Sequence, residues 1–158
     1  MKKMILGAVI ALTMFSCGGN MDMNQQIVGV YNKYVVESEK LVDNVDKGTL
    51  EEREKTLAKL ASLVDSCTTV VKEIKPTKEA EAFHTSTLEV YKVVAEEQVP
   101  VLKEFIAIDE KDESNANIDK YNKAIDKVNT VGEKVSKLEE KVLKVQEDFA
   151  KAIGAKLY

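Results

Sequence analysis

The stretch that decides the fold is residues 118–149, which read IDKYNKAIDKVNTVGEKVSKLEEKVLKVQEDF. Its apolar residues recur every three or four positions, the spacing that places them on one face of an α-helix. They are Ile118, Tyr121, Ile125, Val128, Val131, Val135, Leu138, Val142, Val145 and Phe149. The pattern predicts a helix over residues 114–152, about 58 Å long at about 1.5 Å per residue. One apolar face on so long a helix requires other helices to bury it.

Three stretches upstream show the same spacing, over residues 22–46, 50–75 and 78–109. No run of strand length alternates apolar and polar residues, so the composition indicates an all-α protein. The connections between the four stretches are short, and short connections make successive helices antiparallel neighbours. The sequence therefore predicts an up-down-up-down antiparallel four-helix bundle with a long fourth helix.

Several residues predict where these helices begin, end or bend. Thr49 and Glu52 have the spacing of a capping box, which satisfies two backbone N–H groups at a helix start. Pro76 prevents the second helix from continuing, and Thr77 is a candidate cap for the third. Pro100 lies inside the third helix, where it removes a hydrogen bond and predicts a kink.

The N-terminus carries a different pattern. Residues 1–17 read MKKMILGAVIALTMFSC, with two lysines followed by an apolar run that is shorter than the roughly 20 residues of a membrane-spanning helix. The segment resembles the signal of bacterial lipoproteins, whose lipobox ends in an acylated cysteine. That resemblance implies cleavage between Ser16 and Cys17 and lipid attachment at Cys17. Met14 and Phe15 depart from the usual pattern, which has Leu and a small residue at those positions.

This resemblance divides the chain into a signal peptide at residues 1–16, a lipidated tether at 17–21 and a bundle domain at 22–158. Two or three acyl chains give durable membrane attachment, because a single chain binds only marginally. Gly18 stands where an acidic residue retains some lipoproteins at the inner membrane. The expected location is therefore the outer membrane of a bacterial envelope, on either its periplasmic or its surface face.

The composition restricts the partners. Of 158 residues, 23 are Lys or Arg and 27 are Asp or Glu. Removing the first 16 residues, which include two lysines, leaves 142 residues with a formal charge of −6. An acidic domain is repelled by nucleic acid phosphates, so nucleic acid is not an expected partner.

Few side chains suggest chemistry. Glu81 and the only histidine, His84, form a Glu-x-x-His pair, which is half of a di-iron ligand set that here has no second half. We expect His84 to lie at the edge of the bundle rather than on a metal. Cys67 falls in the apolar seam of the second helix and is expected to be a small core residue rather than a nucleophile.

Tyrosines occur on three of the predicted helices, at positions 31, 34, 91 and 121. Tyr34, Tyr91 and Tyr121 fall on apolar seams, where we expect the rings to pack and the hydroxyls to reach outward. The alternative is a pocket lined by tyrosine side chains.

The end of the chain, Gln146-Glu147-Asp148-Phe149-Ala150-Lys151-Ala152-Ile153-Gly154-Ala155-Lys156-Leu157, resembles the ending of small surface or outer-membrane lipoproteins of Leptospira and the Bacteroidota. The resemblance carries no catalytic residue and no cofactor onto this chain. The expected function is a lipid-anchored, non-enzymatic envelope protein that binds an envelope protein partner or has a structural role. The alternative is a bundle that binds a small molecule or a metal through Glu81, His84 and the core tyrosines.

Overall fold

The computed structural model describes residues 19–109, 112 and 114–152, with side chains from residue 25 onward. These residues are helical and contain no strand, which confirms the predicted all-α class. The helices are α1 (Gly19–Val42), α2 (Leu50–Glu73), α3 (Glu81–Val93), α4 (Val99–Ile106) and α5 (Asn115–Ala152). A π-helical turn joins α3 directly to α4, so the two form one continuous segment over residues 81–106 and the protein has four long helical segments in all.

The π-helical turn spans Val94–Gln98 and immediately precedes the helical turn that contains Pro100. Proline has no N–H to donate to the carbonyl four residues back, and its ring crowds that carbonyl. In the π turn the Val99 N–H bonds instead to the Val94 carbonyl, five residues back, which accommodates one extra residue. Pro100 thus disturbs the helix where the sequence places the disturbance, while a bend of the helix axis stays a prediction.

The start of α2 agrees with the sequence in detail. The Glu52 N–H donates to Thr49 Oγ1 over 3.3 Å, and the Thr49 N–H donates to Glu52 Oε2 over 2.8 Å. Gly48 precedes this capping box with φ = 84°, a left-handed conformation that a side chain would strain. The chain therefore turns at Gly48 and enters α2 with its first N–H groups satisfied.

The prediction that Thr77 caps the third helix is wrong. Residues 77–80 first form a turn, in which the Ala80 N–H donates to the Thr77 carbonyl over 3.0 Å. The helix begins only at Glu81, behind Ala80, which provides no side-chain cap. Thr77 Oγ1 is buried and has no hydrogen-bond partner within the described residues.

Contacts between the α3–α4 segment and α5 pair the two in opposite sequence order. Three lysines of α5 reach three glutamates of the α3–α4 segment, as Lys127–Glu104 at 2.7 Å, Lys134–Glu97 at 2.6 Å and Lys141–Glu89 at 2.8 Å. Aromatic pairs lie at the two ends, with ring centroids 6.5 Å apart for Phe83–Phe149 and 5.6 Å apart for Phe105–Tyr121. This is the order expected of antiparallel neighbours. α2 packs against α1 on one side and against the α3–α4 segment on another.

The core follows the predicted stripe closely on α2, where all six predicted residues are buried: Leu57, Leu60, Val64, Cys67, Val71 and Ile74. On α5 the buried line is rotated from the predicted one. Leu138 and Val145 are only partly buried, whereas Gln146 is 3% exposed. At the start of α5, Ile118 and Tyr121 are 46% and 37% exposed, although both belong to the predicted seam. Their end of the helix extends past the part of the bundle that would cover it.

Candidate functional site

The predicted cleavage and lipid-attachment residues, Ser16 and Cys17, lie outside the described residues, as does the tail beyond Ala152. Lipid attachment at Cys17 therefore stays a prediction. Within the described residues, α1 begins at Gly19, inside the segment predicted as the tether and two residues after Cys17. None of the helices that the structure describes is long and apolar enough to cross a membrane.

The Glu81–His84 pair is not assembled as a metal site. Glu81 is exposed in the first turn of α3, while the half-buried His84 places Nε2 2.8 Å from the Val71 carbonyl oxygen of α2. A carbonyl oxygen can only accept, so Nε2 carries the proton and donates. The imidazole thereby links α3 to α2. In the described part of the chain, no group of three or more His, Cys, Asp or Glu residues is arranged to hold a metal ion.

Cys67 occupies the core position that the sequence predicts, 4% exposed and without a disulfide. Burial raises the pKa of its thiol, and among the nearby charges of α1 Lys33 lowers that pKa while Glu37 raises it. A buried thiol with a raised pKa forms little thiolate at neutral pH, and the thiolate is the reactive species. Cys67 is thus placed for packing rather than for nucleophilic chemistry.

The structure does bring polar side chains together where α1, α3 and α5 meet. We call this group the Tyr–Glu cluster and define it as Tyr31, Tyr34, Tyr91 and Glu139. The rings of Tyr34 and Tyr91 meet edge to face with centroids 4.9 Å apart, and those of Tyr31 and Tyr34 are tilted with centroids 6.0 Å apart. All three tyrosines are at most 3% exposed. They join α1 to the α3–α4 segment by direct ring contact.

Glu139 enters the cluster from α5. It is partly buried and accepts a hydrogen bond from the Tyr34 hydroxyl. Burial raises the pKa of the Glu139 carboxyl to about 7, the nearby Glu39 of α1 raises it further, and the bond from Tyr34 opposes both. Burial also raises the pKa of Tyr31 and Tyr34, and the Glu139 charge adds to both shifts. The phenols stay protonated at neutral pH, and Glu139 is the group that titrates there.

The expectation that the seam tyrosines turn their hydroxyls outward is wrong for Tyr34 and Tyr91. Their rings enter the interior deeply enough that the hydroxyls are enclosed with them. Tyr91 Oη is fully buried and, within the described residues, has no hydrogen-bond partner, and the same holds for Thr87 Oγ1 one turn earlier. Tyr121 lies apart from the cluster, against Phe105.

Glu139 is the residue that the sequence does not single out. It follows Leu138, a predicted seam residue, and its charge assigns it to the solvated face. A signal for its position exists, since Glu139 lies four residues after Val135 and three before Val142, two of the most buried residues of α5. The spacing allows Glu139 to share the inward face as well as Leu138 does.

Comparison with known proteins adds no relative, because no family model, no curated protein and no solved structure matches this chain. The interpretation of its function therefore depends on its own sequence and geometry.

Proposed function

We propose that this chain is a lipid-anchored protein of a bacterial cell envelope, attached through Cys17 and probing its surroundings as a non-enzymatic binding or structural protein. The observation that carries the proposal is the N-terminal order of two lysines, an apolar run, Ser16 and Cys17. Attachment to the outer membrane, on either face, belongs to the same proposal, and so does an envelope protein as its partner.

The shape of the anchored domain is part of the proposal. We infer an up-down-up-down antiparallel four-helix bundle with a bend in its third helix. Two observations support it, namely the opposite sequence order of the ion pairs between the α3–α4 segment and α5, and the π turn at Val94–Gln98 before Pro100. Surface charges and a closed apolar interior suit a domain that presents its exterior to a partner.

The positions of the reactive side chains also support a non-enzymatic role. The one free thiol that the structure describes, that of Cys67, is buried, and His84 donates from Nε2 to a backbone carbonyl. Glu139 has a pKa near neutrality, but its described neighbours are tyrosine rings and Glu39 rather than a nucleophile. This environment suits a structural role better than catalysis.

The chain offers a matched control for testing the anchor, because it has two cysteines, Cys17 and Cys67. In a bacterial host supplied with an alkyne-tagged fatty acid, the parent protein and Cys67→Ala are expected to take up label and to sediment with membranes. Cys17→Ala is expected to lose both properties. Equal labelling and sedimentation of all three proteins would contradict the proposal.

A further inference from the structure

The contact between Tyr34 and Glu139 has a property that the anchoring proposal does not use. It joins α1 to α5 through a hydrogen bond between a phenol that is 1% exposed and a carboxyl that is partly buried. α1 packs along α2 and reaches α3 and α5 through long side chains, those of the Tyr–Glu cluster. The position of α1 against the rest of the protein therefore depends on a contact that contains an ionisable group.

We propose that the Tyr34–Glu139 contact is a proton-operated latch, which holds α1 against α5 more tightly when Glu139 is protonated than when it is ionised. The latch would be a property of the folded domain and does not depend on lipid attachment. Its response would lie in the neutral pH range.

The groups that face Glu139 support this direction. The described side chains that interact electrostatically with its carboxyl are Tyr31, Tyr34 and Glu39, all on α1. Tyr91 of α3 contacts the same cluster through the Tyr34 ring, and the charges of Lys33 and Glu37 act on Cys67 of α2. One neutral donor, the Tyr34 hydroxyl, thus stabilises the carboxylate, while Glu39 repels it.

A partly buried carboxylate beside a second carboxylate costs free energy, and a proton removes that cost. The burial that raises the Glu139 pKa to about 7 is burial by the docked helices. When α1 undocks, the carboxyl becomes hydrated, its pKa falls toward the ordinary value of 4.5, and Glu139 releases its proton more readily.

The sign of the pH dependence follows from this difference. The folded pKa is raised, so the stabilisation of the docked state is fully present below about pH 4.5 and is lost as the pH rises through about 7. Between pH 8 and pH 6 the equilibrium constant for docking is expected to increase about tenfold in favour of the docked state.

Hydrogen exchange of the full-length protein in neutral detergent tests the latch. Protection of the α1 amides, corrected for the intrinsic pH dependence of exchange, is expected to increase about tenfold from pH 8 to pH 6. In Glu139→Gln, which keeps the shape and removes the titration, protection is expected to vary less than twofold. Glu140→Gln, which removes the adjacent exposed charge, is the matched control and is expected to behave like the parent.

A titration of the Glu139 side-chain carboxyl carbon by NMR keeps the proposal falsifiable even if a variant folds poorly. Because the Tyr34 bond lowers the Glu139 pKa and Glu39 raises it, Tyr34→Phe is expected to move the midpoint up and Glu39→Gln to move it down. A parent midpoint near 4.5, or equal pH dependence in Glu139→Gln and the parent, would overturn the latch.

Discussion

Two polar contacts tie α5 to other helices within five residues of each other, and they differ in nearly every physical respect. Lys134 bonds Glu97 of the π turn on the surface, where the two side chains are 50% and 40% exposed. Glu139 bonds Tyr34 of α1 beneath the surface. The first contact has full charges in solvent, and the second has one titrating group in a closed interior.

The difference teaches which contact holds the helices in place. Exposed ion pairs contribute about 0–1 kcal/mol, because water and salt screen the charges and long side chains lose entropy. A buried polar contact changes stability by more, because a partner left without its bond stays desolvated. We therefore expect the position of α1 to depend strongly on the Tyr–Glu cluster, and the pairing of α5 with the α3–α4 segment to depend mainly on its apolar core.

Truncating the central ring of the cluster should produce the largest effect. Tyr34→Ala removes a side chain that is 1% exposed and is expected to lower the free energy of unfolding by about 3–5 kcal/mol. Tyr121→Ala, the matched change at a tyrosine that is 37% exposed, is expected to cost about 1 kcal/mol. Urea unfolding of both variants checks this, and equal losses would remove the distinction between the two regions.

Removing single hydroxyls should separate satisfied from unsatisfied polar groups. At pH 8, where Glu139 is largely ionised, Tyr34→Phe is expected to cost about 1.5–3 kcal/mol because it deletes a bond to a charged acceptor. Tyr91→Phe deletes a buried hydroxyl that has no partner within the described residues, so it is expected to leave stability unchanged or raise it by about 1 kcal/mol. Thermal unfolding at pH 8 measures both, and a costly Tyr91→Phe would contradict this account of the cluster.

The surface contact should give the smallest effect. A double-mutant cycle with Glu97→Gln and Lys134→Gln is expected to yield a coupling of about 0.2–1 kcal/mol in 50 mM salt. In 1 M salt the coupling should fall toward zero, because the screening length shortens to about 3 Å. A coupling above about 2 kcal/mol that resists salt would show that exposure does not set the strength of these contacts.

Much of the fold is predictable because it depends on local rules. The boundaries of α2 and α5 fall within two residues of the sequence prediction, and the capping box at Thr49 and Glu52 forms as its spacing requires. The apolar stripe of α2 is also the buried one. In these places propensity, capping and periodicity agree, and each acts within one helical turn.

The candidate site is less predictable because it depends on how helices rotate against each other. On α1 the buried line includes Tyr31, whereas the predicted stripe takes Val30, which is only partly buried. On α5 it passes through Glu139 and Gln146 instead of Leu138 and Val145. A single-sequence pattern defines the apolar arc to within about one residue, and polarity then assigns Glu139 to the wrong face.

The claim about function is tested most directly by the mass of the mature protein's N-terminal peptide, purified from the envelope of its bacterial host. The account predicts a peptide that begins at Cys17 and carries two or three fatty acyl chains, with residues 1–16 removed. A peptide that begins elsewhere, or an unmodified thiol at Cys17, would contradict it.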